Sequence, residues 1–188
     1  MNLNKTEKVF IGFIRKKNFR YIRKNISEIG NSESFVSGDI PDEKYLEADI
    51  LRGIAMGFDG ARLHQRVFEP LTLYYCDKHG YPVWGEFGDW GLNLASPQAF
   101  KTFSREWLNV MKRDFNHPSI VGWCPLNEVW DRDHKAPLKE LISTVYQITK
   151  ATDPTRPCID TSGNYHVETD IFDVHDYDQD CELFKGHY

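Results

Sequence analysis

The stretch from Asn116 to Trp130, reading NHPSIVGWCPLNEVW, constrains the fold of this chain more than any other. Pro118 breaks the chain, an apolar run follows from Ile120 to Cys124, and the pair Asn127-Glu128 comes directly after it. A run that short, bounded by turn residues, predicts a strand buried on both faces, since a half-exposed strand would alternate apolar with polar. In a parallel α/β barrel the C-terminal ends of such strands collect the catalytic side chains. Glu128 stands at that end and is a candidate catalytic acid. The plainer alternative is a solvated glutamate that closes the loop.

The rest of the chain supports a parallel sheet. From Asp39 and Pro41, Leu46, Ile50, Leu51, Ile54 and Ala55 recur at helical spacing until Gly57, which predicts an amphipathic helix. Ala61 to His64 reads as a short strand, and Pro70 opens a helix over Leu71 to His79 that Gly80 closes. Tyr81 to Glu86 is a second strand, with Pro82 confined to its first residues because a central strand needs that N–H. Ser96-Pro97 starts a helix carrying Phe100, Phe103, Trp107, Leu108 and Met111 on one side, which ends at Asn116. After the Ile120–Cys124 strand comes a charged loop, then a helix from about Pro137 to Lys150. Cys158 to Thr161 and Ile171 to Val174 read as further strands. Strand and helix in regular alternation predict repeated β-α units.

Size and charge narrow the function classes. At 188 residues, with 40% hydrophobic and 27% charged residues, the chain has material for one sizeable core. A net charge of -5 gives no global attraction to nucleic acid or an anionic membrane. The basic residues Lys5, Lys8, Arg15, Lys16, Lys17, Arg20, Arg23 and Lys24 crowd the N-terminus. Residues 1–38 are therefore read as an irregular basic segment, with Val9 to Ile11 a remnant first strand and a nucleic-acid arm as the competing reading. No secretory or membrane segment is visible, which predicts a cytoplasmic chain. Cys76, Cys124, Cys158 and Cys181 are widely spaced, predicting mostly buried thiols rather than disulfides or zinc. Asp131, Asp133 and His134, and again His175, Asp176 and Asp178, are metal-ligating types without a recognised spacing, so no metal or other cofactor is expected.

The polar residues gather after the strands: His64 and Gln65, then Glu86 with Asp89 and Trp90, then Asn127 and Glu128, then Asp160 and Thr161, then His175 to Asp178. A parallel sheet brings all of these to one edge. Aromatic residues, 14% of the chain, accompany them, and a ring beside polar groups suits the C–H face and hydroxyls of a sugar. Trp84 and Trp123, inside strands, are expected in the core; Trp90 and Trp130 are open to either role.

Taken together, DFNHPSIVGWCPLNE from Asp114 to Glu128 resembles the acid-base signature of glycoside hydrolase family 2, the β-galactosidase and β-glucuronidase group. GARLHQRVFEPLTLYYCDKHGYPVWGE, Gly60 to Glu86, and DPTRPCIDTSG, Asp153 to Gly163, are similar to its other recurring blocks. Gly122, Cys124 and Leu63-His64-Gln65 depart from the usual residues. The resemblance implies a (β/α)8-type TIM barrel over residues 39–188 and a retaining hydrolase of β-glycosides. Glu128 would be general acid and then base, Asn127 would bind the sugar's 2-hydroxyl, and Arg62 would steady the nucleophile. His64, Gln65, Glu86, Trp90, His175 and Tyr177 complete the expected substrate-binding set.

A retaining glycosidase needs a second carboxylate about 5 to 5.5 Å from the first. The resemblance puts it on a seventh strand, whereas the residues after Glu128 suffice only for strands five and six. Asp173, Asp176 and Asp178 are the nearby substitutes. The expectation is thus an incomplete barrel in which strands 2 to 6 are recognisable, and a fragment with little or no turnover alone. The alternative is a non-catalytic carbohydrate-binding remnant or a subunit completed by another chain, with self-association through uncovered barrel edges.

Overall fold

The computed structural model describes residues 11–13, 20–22, 27–28, 43–90, 92–93, 96–129, 137–163 and 165–187. Short strands and longer helices alternate along them. In order they are β1 (Ile11–Phe13), β2 (Arg20–Ile22), β3 (Ser27–Glu28), α1 (Glu43–Ala55), β4 (Ala61–Arg62), α2 (Pro70–His79) and β5 (Val83–Glu86). Then follow α3 (Pro97–Asp114), β6 (Ile120–Cys124), β7 (Leu126–Asn127), α4 (Pro137–Thr152), β8 (Thr161–Ser162) and α5 (Cys181–Gly186).

β3, β4, β5 and β6 form one parallel sheet in that order. Trp123 continues it sideways: its N–H donates to Pro157 O at 3.0 Å, and its carbonyl accepts from Ile159 N at 2.9 Å, a parallel bridge to Cys158. β7 and β8 pair in parallel just beyond. Order in space therefore equals order in sequence. A doubly wound sheet reverses direction at a switch point, whereas a barrel adds each strand to the same side of the last, and this chain follows the second pattern.

The helices end where their residues say they should. Pro70 occupies the first turn of α2, and Gly80 terminates it in the left-handed region at φ 63°, a conformation that glycine adopts without a Cβ penalty. Ser96 sits at the N-cap of α3 before Pro97, although its side chain makes no capping bond. β5 starts at Val83, leaving Pro82 outside the strand, where its carbonyl accepts from Ala61 N at 3.0 Å. Among the described residues no helix is long and apolar enough to cross a membrane.

The main core lies between the sheet and its helices, with Ile50, Leu73, Phe103, Trp107, Met111, Trp123, Ile142 and Val145 buried. Trp107 meets Trp123 edge-on at 5.8 Å between ring centroids. Its indole N–H donates to Thr149 Oγ1 at 2.8 Å, tying α3 to α4. Trp123 donates in turn to the buried carboxylate of Asp153 at 2.8 Å, which also holds Arg156 at 2.7 Å. Trp84 belongs to a separate small cluster with Cys124 and Ile159.

These two tryptophans explain Gly122. In the β5–β6 register Trp84 pairs with Gly122 and Gly85 with Trp123. Each indole lies over the partner glycine: a Cβ on Gly85 would meet Trp123 at 2.6 Å, and one on Gly122 would clash harder with Trp84. A larger residue at 122 is incompatible with this Trp84 position.

Ser27–Glu28 lies beside β4, and Ile11–Phe13 pairs antiparallel with Arg20–Ile22. One expectation shifts. Ile171 to Val174 forms no strand ladder. Side chains take the bonding positions there instead: Asp170 accepts from Cys158 N at 2.9 Å, and Thr169 donates to Ile171 O at 2.7 Å. Val9, Phe10, Asp39, Pro41, Trp130, Asp131, Asp133 and His134 lie outside the described residues. Cys76, Cys124 and Cys158 are buried free thiols and Cys181 is an exposed one.

Candidate active site

Parallel strands deliver their last residues to a common edge, and here these are Arg62 of β4, Glu86 of β5, Asn127 of β7 and Ser162 of β8. Arg62, 4% exposed, organises the edge. Its guanidinium pairs with Glu86 through Nε and, at 3.4 Å, through Nη2. It also donates to Asn127 Oδ1 and, at 3.1 Å, faces His175 Nε2. Burial opposes its charge, yet the Glu86 carboxylate outweighs that and raises its pKa above the ordinary value.

An arginine can only donate, so the Asn127 atom facing it is the oxygen. The amide nitrogen, Nδ2, points away; it is buried and has no hydrogen-bond partner among the described residues. The backbone N–H of Asn127 is held by Asp89 at 3.1 Å. Asp89 in turn accepts from the Gln65 amide, and Gln65 Oε1 accepts from Asp89 N at 3.0 Å and from Trp90 N at 3.3 Å. Burial pushes the Asp89 carboxyl up to about 6 against those hydrogen bonds.

Glu128 leaves the strand in the left-handed region at φ 49°, and Gln65 does so at φ 56°. Such backbone costs a non-glycine residue about 1 to 3 kcal/mol and accumulates at functional sites. The turn at Glu128 is pinned by its own N–H on Ser162 O at 2.8 Å and by Val129 N on Thr161 Oγ1 at 3.2 Å. Its carboxylate Oε1 accepts from the Tyr177 hydroxyl and meets His175 Nδ1 at 2.5 Å. Partial burial acts to raise the Glu128 pKa, but Tyr177 and His175 outweigh it and hold the carboxyl below its usual value.

The edge therefore brings together Arg62, Gln65, Glu86, Asn127, Glu128, His175 and Tyr177 from distant parts of the sequence. Trp90 stands at the rim, 72% exposed, and His64 is half-buried beside Gln65. Trp84 and Trp123 are core residues. Asp173 is buried with Oδ2 on Ser162 at 2.6 Å and Oδ1 on Gly163 N at 3.1 Å, while Asp176 pairs with His187 at 2.8 Å. Sequence reasoning missed Ser162 and His166. Ser162 ends β8 and His166 lies in the loop after it, and only convergence reveals them. Among the described residues no group of three or more His, Cys, Asp and Glu could hold a metal ion.

Residues 70–183 match the family described as Glycosyl hydrolases family 2, TIM barrel domain. The chain is similar to the β-glucuronidase of Pongo abelii, 34% identical over 117 residues, 60% of this chain and 17% of that protein. It is also similar to a β-galactosidase of Yersinia pestis bv. Antiqua (strain Angola), 32% identical over 143 residues, 72% of this chain and 13% of that protein. It therefore spans less than a fifth of these relatives. Among solved structures it superposes on a GH2 β-galacturonidase from Eisenbergiella tayi bound to galacturonate, with TM-score 0.57, 27% identity, and 62% of this chain against 21% of the other. The Parabacteroides merdae β-glucuronidase superposes at TM-score 0.56 with 22% identity, 62% against 15%, a likeness of fold. With that family's match covering more than half of its length, this chain belongs to glycosyl hydrolases family 2, and its residues 70–183 are part of the TIM barrel domain.

Proposed function

We propose that this chain carries the acid-base half of a retaining glycosidase site for β-glycosides, on strands corresponding to 2 to 6 of the barrel. Glu128 is the acid-base residue and Asn127 the donor to the sugar's 2-hydroxyl. The observation that carries this is one strand end presenting a carboxylate held ionised beside a buried amide nitrogen without a protein acceptor. A hydroxyl bound there would satisfy Asn127 Nδ2, which otherwise bears the cost of an unpaired buried donor. Tyr177 and His175 orient the carboxylate, and Arg62 fixes which way the Asn127 amide faces. Trp90 supplies an apolar rim.

A general acid must hold its proton at the working pH, and here the hydrogen bonds favour the anion. In a retaining site the second carboxylate, about 5 to 5.5 Å away, raises its neighbour because two like charges resist ionising together. Among the described residues Glu86 is engaged by Arg62, Asp89 by Gln65 and Asp173 by Ser162. On this reading binding of β-glycosides is the expected activity of these residues, with slow turnover of aryl β-glycosides.

Binding is the test. Titrating the chain with β-glucuronides, β-galactosides and β-glucosides is expected to shift the NMR signals of Asn127, Glu128 and Tyr177. Asn127→Ala is expected to weaken the preferred glycoside about tenfold, roughly 1.4 kcal/mol. No response to any β-glycoside at millimolar concentration would overturn the reading.

A further inference from the structure

Behind the Glu128 edge lies a buried ionic cluster that the proposed reaction does not use. His166, whose side chain is 4% exposed, reaches Asp160 Oδ1 with Nδ1 at 2.7 Å. Its Nε2 lies 2.8 Å from the Asp173 carbonyl and 3.2 Å from Asp173 Oδ1. Each nitrogen faces only acceptors in these contacts, so both are donors and the ring is a cation. Burial opposes that charge, and the two aspartates override it, raising the His166 pKa to about 10. The second Asp160 oxygen is taken by Val167 N at 2.6 Å and Glu168 N at 3.1 Å. The Phe172 ring stands 4.5 Å from the imidazole.

From this cluster a hydrogen-bonded path runs to Glu128. Asp173 Oδ2 is 2.6 Å from Ser162 Oγ, which is 3.0 Å from His175 Nε2, and His175 Nδ1 is 2.5 Å from Glu128 Oε1. Asp173 is held ionised, burial notwithstanding, by His166 and Ser162. An ionised carboxylate only accepts, so it accepts the hydrogen bond of the Ser162 hydroxyl, which leaves Ser162 with a lone pair toward His175. Arg62 Nη1 brings an N–H to the same His175 nitrogen at 3.1 Å. One ring nitrogen thus receives opposite demands. Tyr177, whose hydroxyl lies 3.4 Å from His175 Nδ1, and Glu86 and Asn127 behind Arg62 are further polar neighbours among the described residues.

We propose, on the reading of Glu128 as the acid-base residue, that His166 is a positioning residue for it. As the cation between Asp160 and Asp173, it keeps Asp173 accepting from Ser162, so that Ser162 accepts from His175 Nε2 while Nδ1 donates to Glu128. When Ser162 ceases to accept, Nε2 loses that acceptor while the Arg62 N–H stays, its own hydrogen is disfavoured, and the ring is a weaker donor to the Glu128 anion. Networks of this kind couple because each bond polarises the next.

The test follows the Glu128 side-chain carboxyl carbon by NMR through a pH titration of the full chain, assigned with Glu128→Gln. Ser162→Ala, which leaves the ionic cluster in place, is expected to move its midpoint up by about one pH unit, a tenfold change in proton affinity. His166→Gln is expected to move it the same way, and the double variant no further than either alone, the mark of one shared path. An unmoved midpoint in folded Ser162→Ala protein, or additive shifts in the double variant, overturns the proposal. Should His166→Gln fail to fold, Ser162→Ala decides by itself, and Ser162→Thr, which keeps the hydroxyl, is expected to restore the wild-type midpoint. The readout needs no substrate. A chain that binds no glycoside still reports this coupling, and glycoside binding with an unmoved Glu128 overturns only the role of His166.

Discussion

On the helix side of β5 and β6, Trp123 packs edge-on against Trp107 over an apolar bed of Phe103, Met111 and Ile142, while the ends of the same sheet carry almost nothing but polar groups. The helix side is held by volume: what matters is that Trp123 fills its space and that Gly85 leaves room for it. The strand-end side is held by partners, since Arg62 at 4% exposure is tolerable only while Glu86 neutralises it. Packing fails by cavity; a polar network fails by orphaned charge. The two halves should therefore respond to different substitutions and to different conditions.

The largest effect is expected on the helix side. Trp123→Ala removes a fully buried indole and the donor to Asp153, and should cost about 3 to 5 kcal/mol of stability, read from denaturant unfolding. A loss below about 1 kcal/mol would mean the described core is not the one that holds the fold together.

The strand-end side should show itself through pH. The folded His166 pKa of about 10 lies above the ordinary 6.5, so the folded state binds a proton that the unfolded chain releases. The stability this contributes is complete below about pH 6.5 and is lost as pH rises through about 10. Thermal melting of the chain should fall across that window. In His166→Gln the fall should flatten, and an unchanged alkaline limb would separate His166 from the ion cluster described. Trp123→Ala, by contrast, should lower the melting temperature at every pH.

The smallest effect belongs to the rim. Trp90 is 72% exposed, and Trp90→Ala should change unfolding stability by no more than about 0.5 kcal/mol. If it weakens glycoside binding at unchanged stability, the rim acts on ligand and not on fold.

Much of the frame was legible beforehand. Ile120 to Cys124 is a strand over the span its apolar run predicts, and Pro70 and Gly80 bound α2 as helix-start and helix-stop residues do. These features are local: periodicity and backbone-restricting residues act within a few positions. Ile171 to Val174 looked like a strand on the same grounds, but Thr169 and Asp170 divert the neighbouring backbone bonds, and a competition between side chain and ladder is not visible in a pattern of apolar residues. Trp84 and Trp123 were assignable to the core, yet their reciprocal fit over Gly122 and Gly85 needed the strand register.

The sequence alone determined the strand-helix alternation, the polar character of the strand ends, and Glu128 as the carboxylate to examine, because chain periodicity and turn chemistry are encoded locally. Only the tertiary structure decided that Arg62 turns the Asn127 oxygen toward itself and leaves the nitrogen without a partner among the described residues, that His175 and Tyr177 both close on Glu128, and that His166 sits between Asp160 and Asp173 behind Ser162. Those facts depend on which donor meets which acceptor across segments far apart in the chain. Hydrogen bonds and charges acquire direction and strength from three-dimensional placement and burial, and a linear pattern carries neither.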